Sequence, residues 1–371
     1  MKFAQKQDIF DIPTDSLSSI QVLEAWEQAS HYLGQVNQLS TSIFDLSFII
    51  DTLKNIEALN SAKIEGTTGN LEDLYMEDFL SLEKKKELKL FSALNYKYTI
   101  NELERIVAGY GKIDAGLIRH LHKLLTKNDP ATHGDPGIFR TTQVKIRNSK
   151  LGDFFPPEPF EVSYLVTQLF EKVSNLPDLS LPWIAIRHFQ FEAIHPFEDG
   201  NGRTGRLLIL AYLLLNKKHL SAPILNISQF FEKNRDEYVY HLRNVTDVGD
   251  YKKWTLFFLK GVEEQSREVV RLINELRNIK RKDEEVVTSS FRNSSTPLLL
   301  LDFSLQEFFF TITEFEAYLK KKKVPLKAIY QTARNNILRF EQIGLLKKSH
   351  KRGLADTYVH VGLRKVLMEK K

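Results

Sequence analysis

Twelve consecutive residues, His195-Pro196-Phe197-Glu198-Asp199-Gly200-Asn201-Gly202-Arg203-Thr204-Gly205-Arg206, bring together side chains that can do chemistry. Apolar, helix-like segments flank them, one ending at Ile194 and the other beginning near Arg203. Glycines in such a turn let several backbone N–H groups point at one spot. At a helix N-terminus those groups and the macrodipole form an anion site. Arg203 and Arg206 are three apart, so both reach one side of the first helical turn, and guanidinium forks match phosphate oxygens. Asp199 stands where a hard cation bridging phosphates is held. His195 is the nearby group whose ordinary pKa suits a general base at neutral pH. From residue types alone, the turn is a polyphosphate cradle with a metal carboxylate and a base.

A second cluster lies far upstream, in Glu57-Ala-Leu-Asn-Ser-Ala-Lys-Ile-Glu-Gly-Thr67. Ser61 and Glu65 are four apart and share a helix face, and Gly66 follows as a helix stop. Taken alone, this is equally an exposed helix end.

The elements that must position these residues are mostly helices. Apolar residues recur at helical spacing over 17–33, 41–60, 71–108, 114–126, 160–174, 181–194, 203–217, 228–243 and 250–280. Asp114 is a plausible N-cap. Between Asn128 and Pro159, prolines and glycines surround one β-like piece, TTQVKI, which predicts a long loop with a hairpin. Residues 277–297 turn charged and then Ser/Thr-rich, and predict the end of a long helix followed by a linker. Beyond it the pattern predicts helices at 304–321 and 325–342 and then a β-rich tail.

Composition narrows the classes. The chain has 371 residues, which suggests two or three domains, and its 42% hydrophobic and 27% charged content is that of a globular protein. It has no cysteine, which excludes disulfides, thiolate metal sites and cysteine nucleophiles. The longest apolar run, Leu207 to Leu215, is half the length of a membrane span. No membrane partner and a cytoplasmic location are therefore expected. Residues 296–371 hold 15 Lys+Arg against 7 Asp+Glu, a net of +8, whereas the whole chain carries +5. A basic end on a slightly acidic body points to different partners for the two regions.

The His195–Arg206 stretch resembles the signature of the Fic (filamentation induced by cyclic AMP) family, HPFx(D/E)GNGRxxR, at every defined position. Pro136 to Arg140 followed by TTQVKI resembles the approach to that family's target-binding hairpin, the flap, and Phe155-Pro156-Pro157 resembles its exit. Asn234 resembles a nucleotide-contacting asparagine. The resemblance implies a mainly α fold: a Fic-type helical core with a small β-hairpin flap over residues 111–285 and an N-terminal helical region over 1–110. It also implies transfer of AMP from ATP to a Ser, Thr or Tyr hydroxyl of a target protein, with pyrophosphate released. His195 would take the hydroxyl proton and Asp199 would hold Mg²⁺ (or Mn²⁺). Gly200, Asn201 and Gly202 would form the anion hole, with Thr204 and Gly205 in the same nucleotide-binding turn. Arg203 would face the β-phosphate and Arg206 the γ-phosphate. Ser61, Glu65 and Gly66 resemble the family's inhibitory helix, (S/T)xxxE(G/N), which implies an ion pair between Glu65 and Arg206 that spoils ATP binding. Self-modification and a homodimer are left open.

Residues 286–371 resemble a winged-helix domain, with the recognition helix at about 325–342 and the wing at 346–360. Lys347, Lys348, Lys351 and Arg352 would then contact duplex DNA. Two rival functions follow: removal of AMP from a target, and a DNA-binding regulator whose core senses nucleotide. An intact His195 favours transfer, because a sensor needs no base.

Overall fold

The computed structural model describes residues 10, 12–41, 47–171, 179–216, 219–291, 295–325, 328–352 and 355–368. In chain order its α-helices are α1 (Thr14–Leu17), α2 (Ile20–Thr41), α3 (Ser47–Ile64), α4 (Leu71–Tyr75), α5 (Leu82–Glu87), α6 (Phe91–Tyr110), α7 (Ala115–Thr126), α8 (Pro159–Glu171), α9 (Leu181–Ile194), α10 (Asn201–Leu215), α11 (Ile227–Lys233), α12 (Arg235–Val248), α13 (Tyr251–Ser290), α14 (Thr296–Gln306), α15 (Ile312–Lys321), α16 (Ile329–Gln342) and α17 (Val361–Met368). One antiparallel pair joins β1 (Leu346–Arg352) to β2 (Ala355–His360). The fold is mainly α, as the periodicity predicts.

Two compact units divide the chain. The first draws on residues within 1–43, 50–69 and 82–270, the second on residues within 44–49, 70–81 and 271–371. In the first unit, α9 and α10 are buried along almost their whole length, which makes them central helices rather than amphipathic surface ones. Ser180 caps α9 by accepting the Trp183 N–H, and Pro182 sits in the first turn, where its missing N–H costs nothing. Trp254 of α13 is fully buried and donates its indole N–H to the Ala185 carbonyl at 2.8 Å. Asp114 caps α7 as expected, accepting the Leu117 N–H at 2.9 Å. The hairpin between α7 and α8 closes through a single antiparallel bridge, with Ile146 and Phe154 exchanging both backbone hydrogen bonds at 2.9 Å.

In the second unit a short strand position precedes the hairpin. Phe310, between α14 and α15, pairs with Tyr358 of β2 through bonds of 3.1 and 2.8 Å. Ala333, Ile337 and Phe340 of α16 are buried in this unit.

Several periodic stretches are broken where one helix was expected. Residues 71–108 divide into α4, a 3₁₀ turn at Glu77–Phe79, α5 and α6. Asn70 and Asp73 form a reciprocal capping box that starts α4, and Lys89 adopts φ +49° before α6. The 228–243 stretch breaks at Asn234, which ends α11 and starts α12. The 304–321 stretch breaks around Phe310. The long helix expected to end within 277–297 runs to Ser290. Lys, Arg and Glu are good helix formers, Lys280 and Glu284 lie 3.8 Å apart across one turn, and Val287 is buried.

α3 is fixed by a buried acid. Glu57 is fully buried, and its carboxylate accepts the Ser228 N–H at 3.0 Å, the Ser228 hydroxyl and the Tyr96 hydroxyl at 3.3 Å. Burial raises its pKa to about 7 against the pull of these donors and of Arg206. A folded-state pKa above the unfolded one means stability present at low pH and lost as pH rises through about 7. The expected result for Glu57→Gln is a chain whose stability relative to wild type improves between about pH 4.5 and 7, by roughly 3 kcal/mol. Thermal melts of both proteins across that range measure it, and a pH-independent difference would remove the acid from the ledger.

Candidate active site

The 195–206 turn is shaped by three constraints. His195 ends α9 in the left-handed region, φ +50° and ψ +62°. Such a backbone costs ~1–3 kcal/mol in a non-glycine residue and persists when its surroundings enforce it. Arg140 supplies that enforcement: its Nε donates to the His195 carbonyl at 2.8 Å, and its own N–H donates to the Pro196 carbonyl at 2.9 Å. Asn201 closes the turn, accepting the Phe197 N–H and donating to the Phe197 carbonyl, both at 2.9 Å. Its side chain therefore holds the loop, and its backbone N–H remains one of the orphan donors at the start of α10. Gly200, at φ +75°, is the N-cap of α10, and a Cβ there would stand 2.9 Å from Thr126. Thr204 donates its hydroxyl to the Gly200 carbonyl at 2.9 Å, tightening the same turn.

His195 faces a cavity of about 220 Å³ whose lining also includes Glu65, Gly202 and Arg206. Its Nδ1 lies 3.4 Å from the Glu192 carbonyl, so Nδ1–H is the donor and Nε2 is left as the free acceptor. Burial holds its pKa down at about 4, so the ring is neutral at pH 7. Ile146 and Phe154 from the hairpin bridge and Tyr238 and Leu242 from α12 add apolar wall.

Arg206 has a side chain only 1% exposed. Its Nε donates to Ser61 Oγ at 2.9 Å, and its Nη2 donates to the Ser61 carbonyl at 2.9 Å and to Glu65 Oε1 at 2.8 Å. Burial alone would raise the Glu65 pKa, but the facing Arg206 outweighs it and holds the carboxyl below its ordinary value. Burial likewise opposes the charged guanidinium, and Glu65 again wins, so Arg206 titrates above its usual range. Gly66 follows the end of α3 at φ +96°, the helix stop expected of it. A Cβ on Gly202 would strike both Glu65 and Arg206, so the bare backbone at this position is what lets the pair meet there. Gly205 is packed against the Glu192 carboxyl, and its carbonyl accepts a hydrogen bond from His188 Nδ1–H at 3.1 Å.

Arg203 lies elsewhere. Its side chain is 4% exposed and pairs with Asp129 at 3.2 Å, with Ser92 Oγ at 2.9 Å and Thr132 Oγ1 at 3.3 Å as further acceptors. It is not among the residues lining the cavity. Asn234 is not brought to the cavity either: its amide donates to the Phe230 carbonyl at 2.9 Å, inside its own helix junction. Asp199 is half-exposed. Its Oδ1 accepts the Gly200 N–H at 2.6 Å and its Oδ2 accepts the His133 N–H at 3.3 Å. A magnesium ion is bound by one or two carboxylates together with substrate phosphates and water. A single accessible carboxylate beside the anion turn fits that donor set, and among the described residues no group of three or more acidic or histidine side chains forms an all-protein metal cage.

Asp129, Arg140, Glu192 and Tyr238 are site residues that spacing did not reveal. Arg140 closes the Pro136–Arg140 stretch noted for its family resemblance, and Tyr238 stands one helical turn beyond the Asn234 that caps its helix.

Comparison with known proteins agrees with this geometry. Residues 112–213 match the model of the Fic/DOC family, and residues 23–102 match that of the Fic/DOC family N-terminal region. The chain carries a Fic/DOC domain preceded by a Fic/DOC N-terminal region. A probable protein adenylyltransferase of Aquifex aeolicus is 26% identical over 208 residues, 54% of this chain and 58% of its own length. Protein adenylyltransferase fic-1 of Caenorhabditis elegans is 33% identical over 153 residues, 39% of this chain and 26% of its own. The chain thus spans less than two thirds of these curated relatives. A Fic family protein from Desulfovibrio desulfuricans G20 has the same fold, with a TM-score of 0.57 at 19% identity over 93% of this chain and 97% of that one. Fic-1 (residues 134–508) of C. elegans gives 0.51 at 18% identity over 70% of this chain and 75% of that one. Among the described residues of this Fic chain, no helix is long and apolar enough to cross a membrane.

The buried Arg203–Asp129 pair carries a stability prediction. Arg203→Ala leaves a carboxylate with 2% side-chain exposure without its cation, and such a loss costs about 3–5 kcal/mol. Chemical denaturation should find Arg203→Ala much less stable than wild type, with Asp129→Asn and Arg203→Met combined recovering part of the loss. Wild-type stability in Arg203→Ala would refute the structural role.

Proposed function

We propose that this chain is a protein adenylyltransferase that transfers AMP from ATP to a Ser, Thr or Tyr hydroxyl, and that Glu65 holds it in an inhibited state. The observation that carries the proposal is the Glu65–Arg206 pair inside the cavity that His195 faces. The names of the relatives support the transferase activity and ATP as its substrate. In the reaction, the target hydroxyl oxygen bonds to the α-phosphorus and the bond from that phosphorus to the α,β-bridging oxygen breaks. Pyrophosphate leaves, and the hydroxyl proton passes to His195 Nε2. The low pKa of His195 keeps that nitrogen unprotonated at pH 7, and a positioned base of this kind contributes about 10²–10⁴ in rate.

The backbone N–H groups of Asn201, Gly202 and Arg203 at the start of α10 receive phosphate oxygens and supply charge stabilisation that needs no reorganisation. Arg206, freed from Glu65, takes the terminal phosphate bidentately and turns the α-phosphate toward His195. Asp199 would hold Mg²⁺, or Mn²⁺, which supplies neutralisation of the phosphate charge. Arg203, turned to Asp129, acts by holding the loop that presents the turn. With Glu65 in place the guanidinium is already satisfied, so bound ATP lacks its anchor. The same chemistry allows the chain to modify itself.

Glu65→Gly should therefore raise incorporation of label from α-labelled ATP into the chain itself or into lysate proteins. The expected rise is roughly ten- to hundredfold, the equivalent of the ~1.5–3 kcal/mol of a charge-assisted hydrogen bond. The double variant Glu65→Gly, His195→Ala should be silent. A Glu65→Gly chain no more active than wild type would sink the inhibitory role, and an active double variant would sink the base.

A second partner is supported by the second unit alone. The order α14, Phe310 strand position, α15, α16, β1–β2 hairpin supports the reading of this unit as a winged helix. We propose that this unit binds duplex DNA through the exposed face of α16, where Tyr330, Gln331, Arg334 and Asn335 recur at helical spacing opposite the buried face. Arg, Asn and Gln are the side chains that read base edges, and the exposed Lys347 of β1 is placed for phosphate. Lys348 is engaged with Asp356 at 3.0 Å, and the side chains of Lys351 and Arg352 lie outside the described residues. Fluorescence anisotropy of the whole chain with duplex DNA should show affinity falling roughly 40-fold between ~0.05 and ~0.2 M salt for about three phosphate contacts. No binding at the lower salt would rule the reading out.

A further inference from the structure

α7 lies against both halves of the proposed site, the hairpin that faces the target and the turn that faces the nucleotide. Arg119, His122, Lys123 and Thr126 form one stripe of that helix at spacings of three, four and seven. The hairpin root sits on its first part. Arg119 Nε donates to the Gly137 carbonyl at 2.8 Å, and a Cβ on Gly137, at φ +79°, would stand 2.8 Å from the Arg119 carbonyl. The turn sits on its second part, where Gly200 is pressed on Thr126 and His122.

His122 is the residue that touches both. Its ring is buried, and it stacks on Phe197 with centroids 3.6 Å apart and planes 1° from parallel. Nδ1 accepts the Gly137 N–H at 2.8 Å, so the proton of the neutral ring is on Nε2, which donates to the Asp199 carbonyl at 2.9 Å. Both ring nitrogens are committed, one to each side.

We propose that His122 is a positioning residue that fixes the hairpin root and the Asp199–Gly200 turn in one register, so that the target hydroxyl and the α-phosphate meet at His195. This rests on the transferase reading of the same site. His122 exchanges no proton with substrate. It acts through the backbone of Gly137 on one side and of Asp199 on the other, and α7 serves as the common template.

The two bonds can be removed separately. Asn places a polar atom near the Nδ1 position and Gln near the Nε2 position. In the Glu65→Gly chain, His122→Asn should keep the Gly137 bond and lose the Asp199 bond. Calorimetry with a non-hydrolysable ATP analogue and Mg²⁺ should find binding about tenfold weaker, while amide exchange over residues 138–156 stays at the parent rate. His122→Gln should do the reverse, with exchange over the hairpin about tenfold faster and analogue binding unchanged. Arg119→Met, at an exposed position, should speed hairpin exchange alone, which keeps that arm decisive if the His122 variants fold poorly. Loss of both properties together in each His122 variant, or parent values of both in all three variants, would overturn the proposal. A parent chain that binds no analogue would instead count against the nucleotide reading, and the exchange data would still judge the hairpin arm.

Discussion

A guanidinium with almost no exposed surface needs anionic or carbonyl partners, and the arrangement of the first unit follows from supplying them to Arg206. A buried charge left alone is strongly destabilising, so its acceptors must arrive with it. They come from a helix 141 residues upstream in sequence, through two oxygens of Ser61 and one of Glu65. Glu57 and Ser61 stand one turn apart on α3, and Glu65 follows directly after its last residue. Glu57 ties the middle of that helix to Ser228 and Tyr96, which places the later two acceptors one and two turns on. The Glu65 carboxylate that meets Arg206 is therefore placed by a buried carboxylate two turns earlier.

The turn that carries His195 is held from three directions. Arg140 fixes its carbonyls, Asn201 closes its ring, and α7 supports it from beneath. This is the expense of keeping a histidine in a left-handed backbone. The return is an imidazole whose Nε2 points into an apolar cavity and stays neutral. Preorganisation of this type suits group transfer from a nucleotide, where geometry and charge placement matter more than covalent chemistry.

How much of this was legible beforehand depended on range. Local signals were readable: the Asp114 cap, the bounds of α9, the glycine at the end of α3, and the apolar helix expected from about Arg203, which opens two residues earlier at Asn201. The pairing of Glu65 with Arg206 was legible only through family resemblance, because no periodicity connects residues so far apart. Arg203 illustrates the limit. Its phase on α10 matches Arg206, yet Asp129, in a proline-rich loop with no regular pattern, captures it. Asn234 was placed by motif, whereas its amide is consumed by the last turn of α11. The long helix was expected to end within 277–297, but its last residue was not legible, because charge and serine content look like a linker. Buried Val287 and the i, i+4 pairs carry it to Ser290, and those are facts of packing.

Gly202 joins two states that would otherwise be separable. Its missing side chain leaves room for Glu65 against Arg206, and the same bare backbone is what a phosphate oxygen would approach. A Cβ there would meet both Glu65 and Arg206, so glycine is what fits this position while the pair is formed. Under the proposed function, a glycine at this position serves the restrained pair and the phosphate site alike, so its retention favours neither over the other.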